Sequence, residues 1–172
     1  TPTTLNRVYT SAERYFLNVD ESRLVPDRIL VPIDRRGLLT SLVRGLLTGP
    51  SAWLAPAVRT AVPAGTKLDI DAVPIEGTTA VVDLTQQALA ATDSQRRILA
   101  AQIVWTVTSI ETVTAVRITV NRQPLPLAGL GDVLSRKDFA GVDPDVLSAK
   151  SSAFVVVGRR LNQVTTAGIS PV

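Results

Sequence analysis

The sequence predicts an α+β domain in which two helices pack on one face of a single mixed sheet of about four to five strands. Three observations predict this class. One segment has the apolar spacing of an amphipathic helix, a second has an almost continuous apolar helical surface, and the remaining apolar residues alternate with polar ones. The order along the chain is strand, strand, helix, strand, strand, helix, strand. One sheet that covers both helices is the simplest arrangement for this order.

The first predicted elements are two extended segments after a polar tail. Residues 1–13 are polar and lack periodicity, which is typical of a tail or linker. Residues 15–18 predict a short strand, and residues 24–32 predict a second strand after a turn. Because Pro26 and Pro32 cannot donate to a central ladder, we expect this second strand at a sheet edge.

The segment before Gly49 and Pro50 predicts the first helix. Its apolar side chains fill one half of a helical wheel, and its polar side chains fill the other half. Glycine and proline are typical just after a helix ends. We therefore expect this helix to lie on the core with one face only. The apolar half consists of Leu38, Leu39, Leu42, Val43, Leu46 and Leu47.

Residues 67–84 predict a β-hairpin with its turn at Glu76 and Gly77. Apolar residues alternate with Lys67, Asp69 and Asp71 in the first half, so one face of that strand is apolar and the other is charged. The side chains expected to face inward are Leu68, Ile70, Ala72, Ala80, Val82 and Leu84.

A second helix is predicted from a capping box at Thr92 and Gln95 to about Ser109. Apolar side chains cover more of its surface than one sheet face can bury. We expect the additional apolar side, around Ala100, Ala101 and Val104, to contact either residues 123–172 or an outside partner. Its polar side chains form only a narrow stripe, which consists of Gln95, Gln102, Thr106 and Ser109.

The rest of the chain divides into three parts. A last strand at residues 116–120 completes a main domain that covers residues 14–122. Residues 123–149 contain Pro, Gly and Asp without a sustained period and are interpreted as a linker or wrapping segment. Residues 150–172 predict a hairpin that begins a separate unit.

Composition excludes several classes of function. The chain has no Cys and no His, so neither a thiolate nucleophile nor a histidine base is available. With a net charge of +3 and only 4% aromatic residues, no nucleic-acid surface is expected. No metal or other cofactor is expected. The longest apolar-rich stretch, residues 98–107, is too short to cross a bilayer, so we expect any membrane attachment to use a lipid anchor outside these residues.

Six motifs carry a family resemblance. They are YFLN at 15–18, LVP at 24–26, LLTGP at 46–50, AVPAGTKL at 61–68, AVVDLT at 80–85 and AQIVWTVT at 101–108. Each motif is weak alone, but their joint order and spacing resemble the GerMN domain of sporulation and spore germination proteins. Val107 stands where the family usually has Leu, which is an exchange within the core. GerMN domains have no established chemistry, so the resemblance implies a non-enzymatic domain.

Further residues resemble the LpqB family of actinobacterial lipoproteins. They are residues 49–56, Asp143-Pro144 and residues 154–159. This resemblance implies an extracytoplasmic, lipid-anchored protein with a tail before the domain and a β-propeller that begins within residues 150–172. As a partner it implies an MtrAB-like two-component system of cell-wall homeostasis and division, with contact to the extracellular domain of its sensor histidine kinase.

Three functions remain open at this stage. The leading hypothesis is a protein-interaction domain that uses Ala100, Ala101 and Val104. The second is a peptidoglycan or glycan binder that uses Trp53 and Arg59, against the alternative that Trp53 packs over the end of the first helix.

The third hypothesis is a hydrolase. Asp69 and Asp71 are two residues apart on a predicted strand and share a face, which is compatible with an acid and a base. The alternative is that both carboxylates lie on a solvated outer face. Asp83 is expected to cap the turn or helix that follows it rather than to act on a substrate.

Overall fold

A computed structural model describes residues 9–32, 37–145, 153–157, 160–165 and 168–171. The predicted α+β class is confirmed. The first eight residues of the predicted tail lie outside the described residues, as do parts of the predicted C-terminal hairpin. In the main domain the strands divide between two sheets, whereas the sequence predicted one.

The first sheet is antiparallel with the order β2-β1-β3. Its strands are β1 (Tyr9–Asn18), β2 (Leu24–Pro32) and β3 (Val58–Arg59). β1 begins at Tyr9, inside the segment predicted as a tail. β2 lies at the edge, as its prolines predicted, and pairs with β1 in a register that places Tyr15 opposite Pro26.

The second sheet is mixed and has the order β4-β5-β6-β7, with β8 also paired to β6. Its central strands β5 and β6 are parallel, with Val82 opposite Ile118. Its strands are β4 (Ile75–Glu76), β5 (Thr79–Leu84), β6 (Ala115–Val120), β7 (Gln123–Pro124) and β8 (Val133–Leu134).

The predicted hairpin at residues 67–84 is only partly correct. The turn follows Glu76, and Ala80, Val82 and Leu84 are fully buried. The first half is irregular: Leu68 bridges Leu84, but the chain then bends and leaves Ile70 53% exposed. Ile70 and Ala72 therefore do not face the core, because the strand that would have aligned them ends before they are reached.

The first helix, α1 (Leu38–Thr48), buries its predicted apolar side, and Thr40 of the predicted polar half is buried with it. The amide of Gly49 closes it by donating to the carbonyls of Gly45 and Leu46. Arg14 crosses the helix at Gly45, where an added Cβ would lie 2.9 Å from the Arg14 Nη1 atom. Glycine is thus needed there for close approach rather than for backbone freedom.

The second helix, α2 (Asp93–Val107), begins at the predicted capping box. The Gln95 amide donates to Thr92 Oγ1, and the Thr92 amide donates to Gln95 Oε1. Every residue from Leu99 to Val107 is buried. α2 contacts β1, α1, β6 and a short 3₁₀ helix at Arg136–Val142, and this explains why its apolar surface exceeds what one sheet can cover.

The segment after β6 packs on the same core. Leu125, Leu134 and Phe139 are buried in the cluster that contains the α2 side chains. Arg136 donates from Nε to Thr108 Oγ1 and from Nη2 to the Thr108 carbonyl, and its guanidinium lies 4.4 Å from the Trp105 ring centroid. This part of residues 123–149 therefore wraps the C-terminal end of α2.

The C-terminal strands form a third sheet. It is antiparallel with the order β11-β10-β9. Its strands are β9 (Ala153–Val157), β10 (Arg160–Thr165) and β11 (Gly168–Pro171). The pairing of β9 with β10 forms a hairpin within the predicted range 150–172, and β11 adds a third strand.

Candidate interaction surface

The chain itself covers the three α2 residues that the sequence suggested as partner contacts. Ala100, Ala101 and Val104 are all fully buried. They belong to the core cluster that also includes Leu125 and Phe139 from the wrapping segment. Of the two alternatives predicted for this side of α2, the structure shows contact with residues 123–172 of the same chain, so these three residues are not available to an outside partner.

Two residues of the polar stripe of α2, Gln102 and Thr106, are also internal, and they complete the hydrogen bonding of β1. The Tyr15 amide donates to Thr106 Oγ1 at 3.0 Å, and Gln102 Nε2 donates to the Tyr15 carbonyl at 3.0 Å. Gln102 Oε1 accepts from the Ala61 amide at 2.8 Å. Two side chains one helical turn apart thus occupy the edge of β1 at Tyr15, where another strand would pair.

Trp53 is the most exposed large apolar side chain in the described part of the chain, at 70%. It lies on a tight turn, the Trp53 loop, which we define as residues 51–57. The Leu54 and Ala55 amides donate to the Ser51 carbonyl, and the Leu54 side chain is buried beside the exposed indole. The interpretation that Trp53 packs over the end of α1 is therefore wrong.

A buried ion pair holds the start of this loop. Asp27 is fully buried and accepts from Arg14 Nη2 at 2.6 Å. It also accepts from the Ser51 amide at 2.9 Å and from Ser51 Oγ at 2.7 Å. Arg14 Nη1 donates to the Gly45 carbonyl. One buried carboxylate thereby ties β1, β2 and α1 to the loop, and its remaining lone pairs are satisfied as a buried charge requires.

Arg59 lies on β3, the strand that follows the Trp53 loop. It is exposed, and its Nη1 donates to the carbonyl of Val58. β3 pairs with the end of β1, where Arg59 is opposite Leu17. Of the five residues suggested from the sequence, Trp53 and Arg59 are thus the two that solvent reaches.

The carboxylates suggested for hydrolysis lie on the irregular segment before β4. Asp69 and Asp71 are exposed and line an open groove of about 500 Å³ together with Arg44 and Lys67. Arg44 forms an ion pair with Asp71. The strand that was expected to align the two carboxylates is absent at these described positions, since the chain bends after Leu68.

Asp83 has a structural role, but at a different turn from the predicted one. It accepts from Thr119 Oγ1 at 2.7 Å and from the Arg122 amide at 3.1 Å. These bonds close the turn between β6 and β7. The sequence placed the cap on the turn after Asp83 because the parallel pairing of β5 with β6 is a long-range feature.

Glu13 is a carboxylate with a shifted pKa beside α2. A hydrogen bond from the Tyr15 hydroxyl at 2.7 Å, with a further one from Arg28, lowers the pKa of Glu13 below its usual 4.5, although partial burial opposes the shift. Burial and the same hydrogen bond raise the pKa of the Tyr15 hydroxyl. Glu13 therefore remains charged, and Tyr15 neutral, at physiological pH.

The model of the Germane family, described as sporulation and spore germination, matches residues 13–126. The chain belongs to this family. The GerMN resemblance of the six sequence motifs is thereby confirmed. The matched range begins in β1 and ends in the turn after β7, so it covers both helices and the parallel strand pair.

Two curated relatives of the chain are both named lipoprotein LpqB. The chain is 30% identical over 158 residues to lipoprotein LpqB of Thermobifida fusca, and 29% identical over 174 residues to lipoprotein LpqB of Cutibacterium acnes. These matches cover 87% and 96% of this chain. They cover only 25% and 28% of the relatives, so the GerMN chain spans about a quarter of their length.

Solved structures share the fold. The first GerMN domain of the sporulation protein GerM from Bacillus subtilis is 20% identical with a TM-score of 0.60, and the match covers 74% of this chain and 98% of that domain. The tandem GerMN domains of the same protein give a TM-score of 0.59 over 94% of this chain and 58% of theirs. In the described part of the present chain, no helix has the length and apolar character that crossing a membrane requires.

Proposed function

We propose that this GerMN chain is a non-enzymatic interaction domain of an extracytoplasmic envelope lipoprotein and that it contacts a protein partner through the Trp53 loop. The observation that carries the proposal is an indole that is 70% exposed on an ordered turn. The names of the LpqB relatives support the envelope context. No residue is assigned a catalytic role.

The Trp53 loop has the properties of an interface anchor. Tryptophan is among the residues that most often dominate binding energy, because its large side chain buries much area with few rotatable bonds. The bonds from Ser51 to the buried Asp27 fix the start of the turn before any partner arrives. Such preorganisation reduces the entropy lost on association.

The partner that we propose is the extracellular domain of a sensor histidine kinase in an MtrAB-like system. Similarity to LpqB lipoproteins supports this choice. In the complete protein, a lipid anchor outside this chain would hold the domain at the membrane, and a β-propeller would follow it. Both proteins would then be held at the same membrane surface, where their high effective concentration allows them to associate even with modest affinity.

Titration of the isolated domain with the purified extracellular kinase domain tests this function. We expect Trp53→Ala to raise the dissociation constant about 30-fold, which corresponds to the ~2 kcal/mol of a hot-spot residue. Leu30→Ala is the matched control, because Leu30 is also a large exposed apolar residue but lies on β2. Equal affinities of the wild type and Trp53→Ala would exclude the Trp53 loop as the contact.

The role of Ser51 is tested in the same assay. Ser51→Ala removes the bond from Oγ to Asp27 but leaves the amide bond and the indole in place. We expect a smaller loss of affinity than for Trp53→Ala, with a thermal midpoint lowered by roughly 2–8 °C, because the buried carboxylate loses one hydrogen bond worth about 1–2 kcal/mol. A loss of affinity that is absent in Ser51→Ala but present in Trp53→Ala would show that the turn holds without the hydroxyl.

A second function, binding of peptidoglycan or another glycan, is favoured by the same exposed indole. Aromatic faces at solvent-exposed positions provide platforms that are apolar on the face and polar at the edge. Titration with soluble cell-wall fragments, followed by tryptophan fluorescence, separates this from protein binding. A saturable change in the wild type, with calorimetric binding that is lost in Trp53→Ala, supports glycan binding, and a flat titration of the wild type excludes it.

A further inference from the structure

The outer face of the second sheet carries a groove that the Trp53 loop does not share. Because Ala80, Val82 and Leu84 point into the core, the alternate residues of β5 point outward, and the same holds for β6. The groove has a volume of about 380 Å³. Ile70, Ala72, Pro74 and Val81 provide its apolar wall, and Arg117 and Arg122 lie at its polar side. We call this the outer groove.

The apolar wall exists because the chain before β4 leaves the edge of β5. The Asp69 amide donates to the Asp83 carbonyl, and the Val81 amide donates to the Pro74 carbonyl. Between these points the Ala72 amide donates to the Ile70 carbonyl, and the Val73 amide donates to Thr40 Oγ1 on α1. The intervening residues thus bow away from the sheet and form one side of the outer groove.

Arg122 has a backbone conformation that arginine rarely adopts. Asn121 and Arg122, the two residues between β6 and β7, have φ angles of 50° and 64°. A two-residue hairpin turn with positive φ at both positions strongly favours asparagine followed by glycine. An arginine at the second position is therefore strained. Strain of this kind, held in place by the Asp83 carboxylate, is typical of residues whose side chain has a function.

The charges around the outer groove favour an anionic group. Its own carboxylate, Asp83, is buried and accepts hydrogen bonds from Thr119 and from the Arg122 amide. Arg117 pairs with Glu76 at 3.0 Å, but both side chains are exposed and such pairs exchange readily. Among the ion pairs of the described residues, none uses the Arg122 guanidinium.

We propose that the outer groove binds an extended segment of a partner protein in which an aliphatic residue adjoins an aspartate or glutamate. The aliphatic side chain contacts Val81 and Ile70, and the carboxylate accepts from Arg122 and, in exchange for Glu76, from Arg117. A guanidinium binds a carboxylate with two parallel hydrogen bonds, which gives direction as well as charge attraction. This proposal stands on residues outside the Trp53 loop and does not require that loop to bind anything.

An NMR titration of the domain with a capped hexapeptide of alternating valine and glutamate tests the proposal. We expect saturable shifts of the Val81, Thr119 and Arg122 amides at millimolar peptide or below. A peptide with glutamine in place of glutamate should bind at least tenfold more weakly. Added salt should weaken only the glutamate peptide.

Arg122→Gly is the decisive variant because glycine adopts the turn conformation without strain. We expect it to keep or raise the thermal midpoint while it weakens the glutamate peptide at least tenfold. Arg28→Gln is the charge control, since it removes a positive charge from an exposed site on the other sheet, and it should bind like the wild type.

Three results would overturn the proposal. Equal binding of the glutamate and glutamine peptides would show that the carboxylate is not recognised. A lowered midpoint in Arg122→Gly with unchanged peptide affinity would make Arg122 a structural residue. Shifts at the same amides with soluble peptidoglycan stem peptides, but not with the hexapeptide, would assign the outer groove to the cell wall instead.

Discussion

The two helices of this GerMN domain differ in where their polar side chains lie. On α1 the polar residues Ser41, Arg44 and Thr48 face solvent, as the sequence pattern predicts, although Thr40 is buried and accepts from the Val73 amide. On α2 the polar residues Gln102 and Thr106 are fully buried. The difference shows that a polar stripe on a helix does not by itself mark a solvent face. Where the neighbour is an unpaired strand edge, the stripe completes the hydrogen bonding of that edge.

This comparison changes where contact with other molecules is expected. An apolar surface larger than one sheet can cover suggested a free side of α2. The chain uses that surface internally, against β1, α1, β6 and the wrapping segment. The Trp53 loop and the outer groove, which lie on other elements, are solvent-exposed candidate surfaces.

The largest expected effect comes from a new charge placed on each helix in turn. Val104→Asp puts a carboxylate into a fully buried site on α2, and Ser41→Asp puts one on the exposed side of α1. We expect the first to lower the free energy of unfolding by more than about 4 kcal/mol and the second to change it by less than about 0.5 kcal/mol. Urea denaturation followed by circular dichroism measures both. A folded Val104→Asp variant of near wild-type stability would contradict the claim that the chain covers this side of α2.

Removal of a buried hydrogen-bonding group should have the next largest effect. Gln102→Leu keeps the volume but leaves the Tyr15 carbonyl and the Ala61 amide without their partner. We expect a loss of about 3 kcal/mol, since each unsatisfied buried group costs ~1–3 kcal/mol. Thr48→Val on α1 is the control, because Thr48 is exposed and bonds only to the Arg44 carbonyl. Similar losses of unfolding free energy for the two variants would contradict the claim that Gln102 completes the hydrogen bonding at the edge of β1.

The ends of the two helices differ in a way that predicts a smaller effect. α1 ends in backbone bonds to Gly49, whereas Arg136 from the wrapping segment covers the end of α2 and stacks on Trp105. We expect Arg136→Met to cost about 2 kcal/mol and to shift the Trp105 fluorescence. Lys137→Met, at the exposed neighbouring position, should change neither quantity. An unchanged midpoint in Arg136→Met would mean that the segment is held without this contact.

The smallest expected effect is a pH dependence beside α2. Glu13 has a lower pKa in the folded chain than its usual 4.5. Its contribution to stability is therefore complete above about pH 4.5 and is lost as the pH falls through the folded-state pKa. In Glu13→Gln the unfolding free energy should decline less steeply between about pH 5 and pH 3 than in the wild type. Parallel curves for the two proteins would show that the Tyr15 and Arg28 bonds do not stabilise the carboxylate.

Most of the local structure was predictable because it depends on neighbours in sequence. The burial of α1, the capping box at Thr92 and the edge position of β2 follow from spacing, a cap motif and prolines. The division into two sheets was not predictable. It involves long-range contacts such as the bond from Gln102 to Tyr15 across 87 positions, and no local pattern encodes that pairing.

The candidate surfaces could likewise be predicted only in part, because their exposure depends on contacts between residues far apart in sequence. Trp53 was singled out by its residue type, but the turn that carries it is tied to β2 by the bond from Ser51 to Asp27, 24 positions away. For Ala100, Ala101 and Val104 the sequence left open whether residues 123–172 or an outside partner covers them, because a helical wheel counts apolar area without showing which segments return to cover it. Arg122 was missed, although an asparagine followed by arginine after an alternating strand is a turn signal with an unusual second residue.

Hydrogen exchange of the isolated domain compares the two helices most directly. We expect the amides of residues 99–107 in α2 to exchange only through global unfolding, because the chain surrounds that helix on several sides. The amides of α1, which has one solvent face, should exchange faster through local opening. Exchange of residues 99–107 as fast as α1 or faster would contradict the account, since it would mean that α2 keeps an uncovered side.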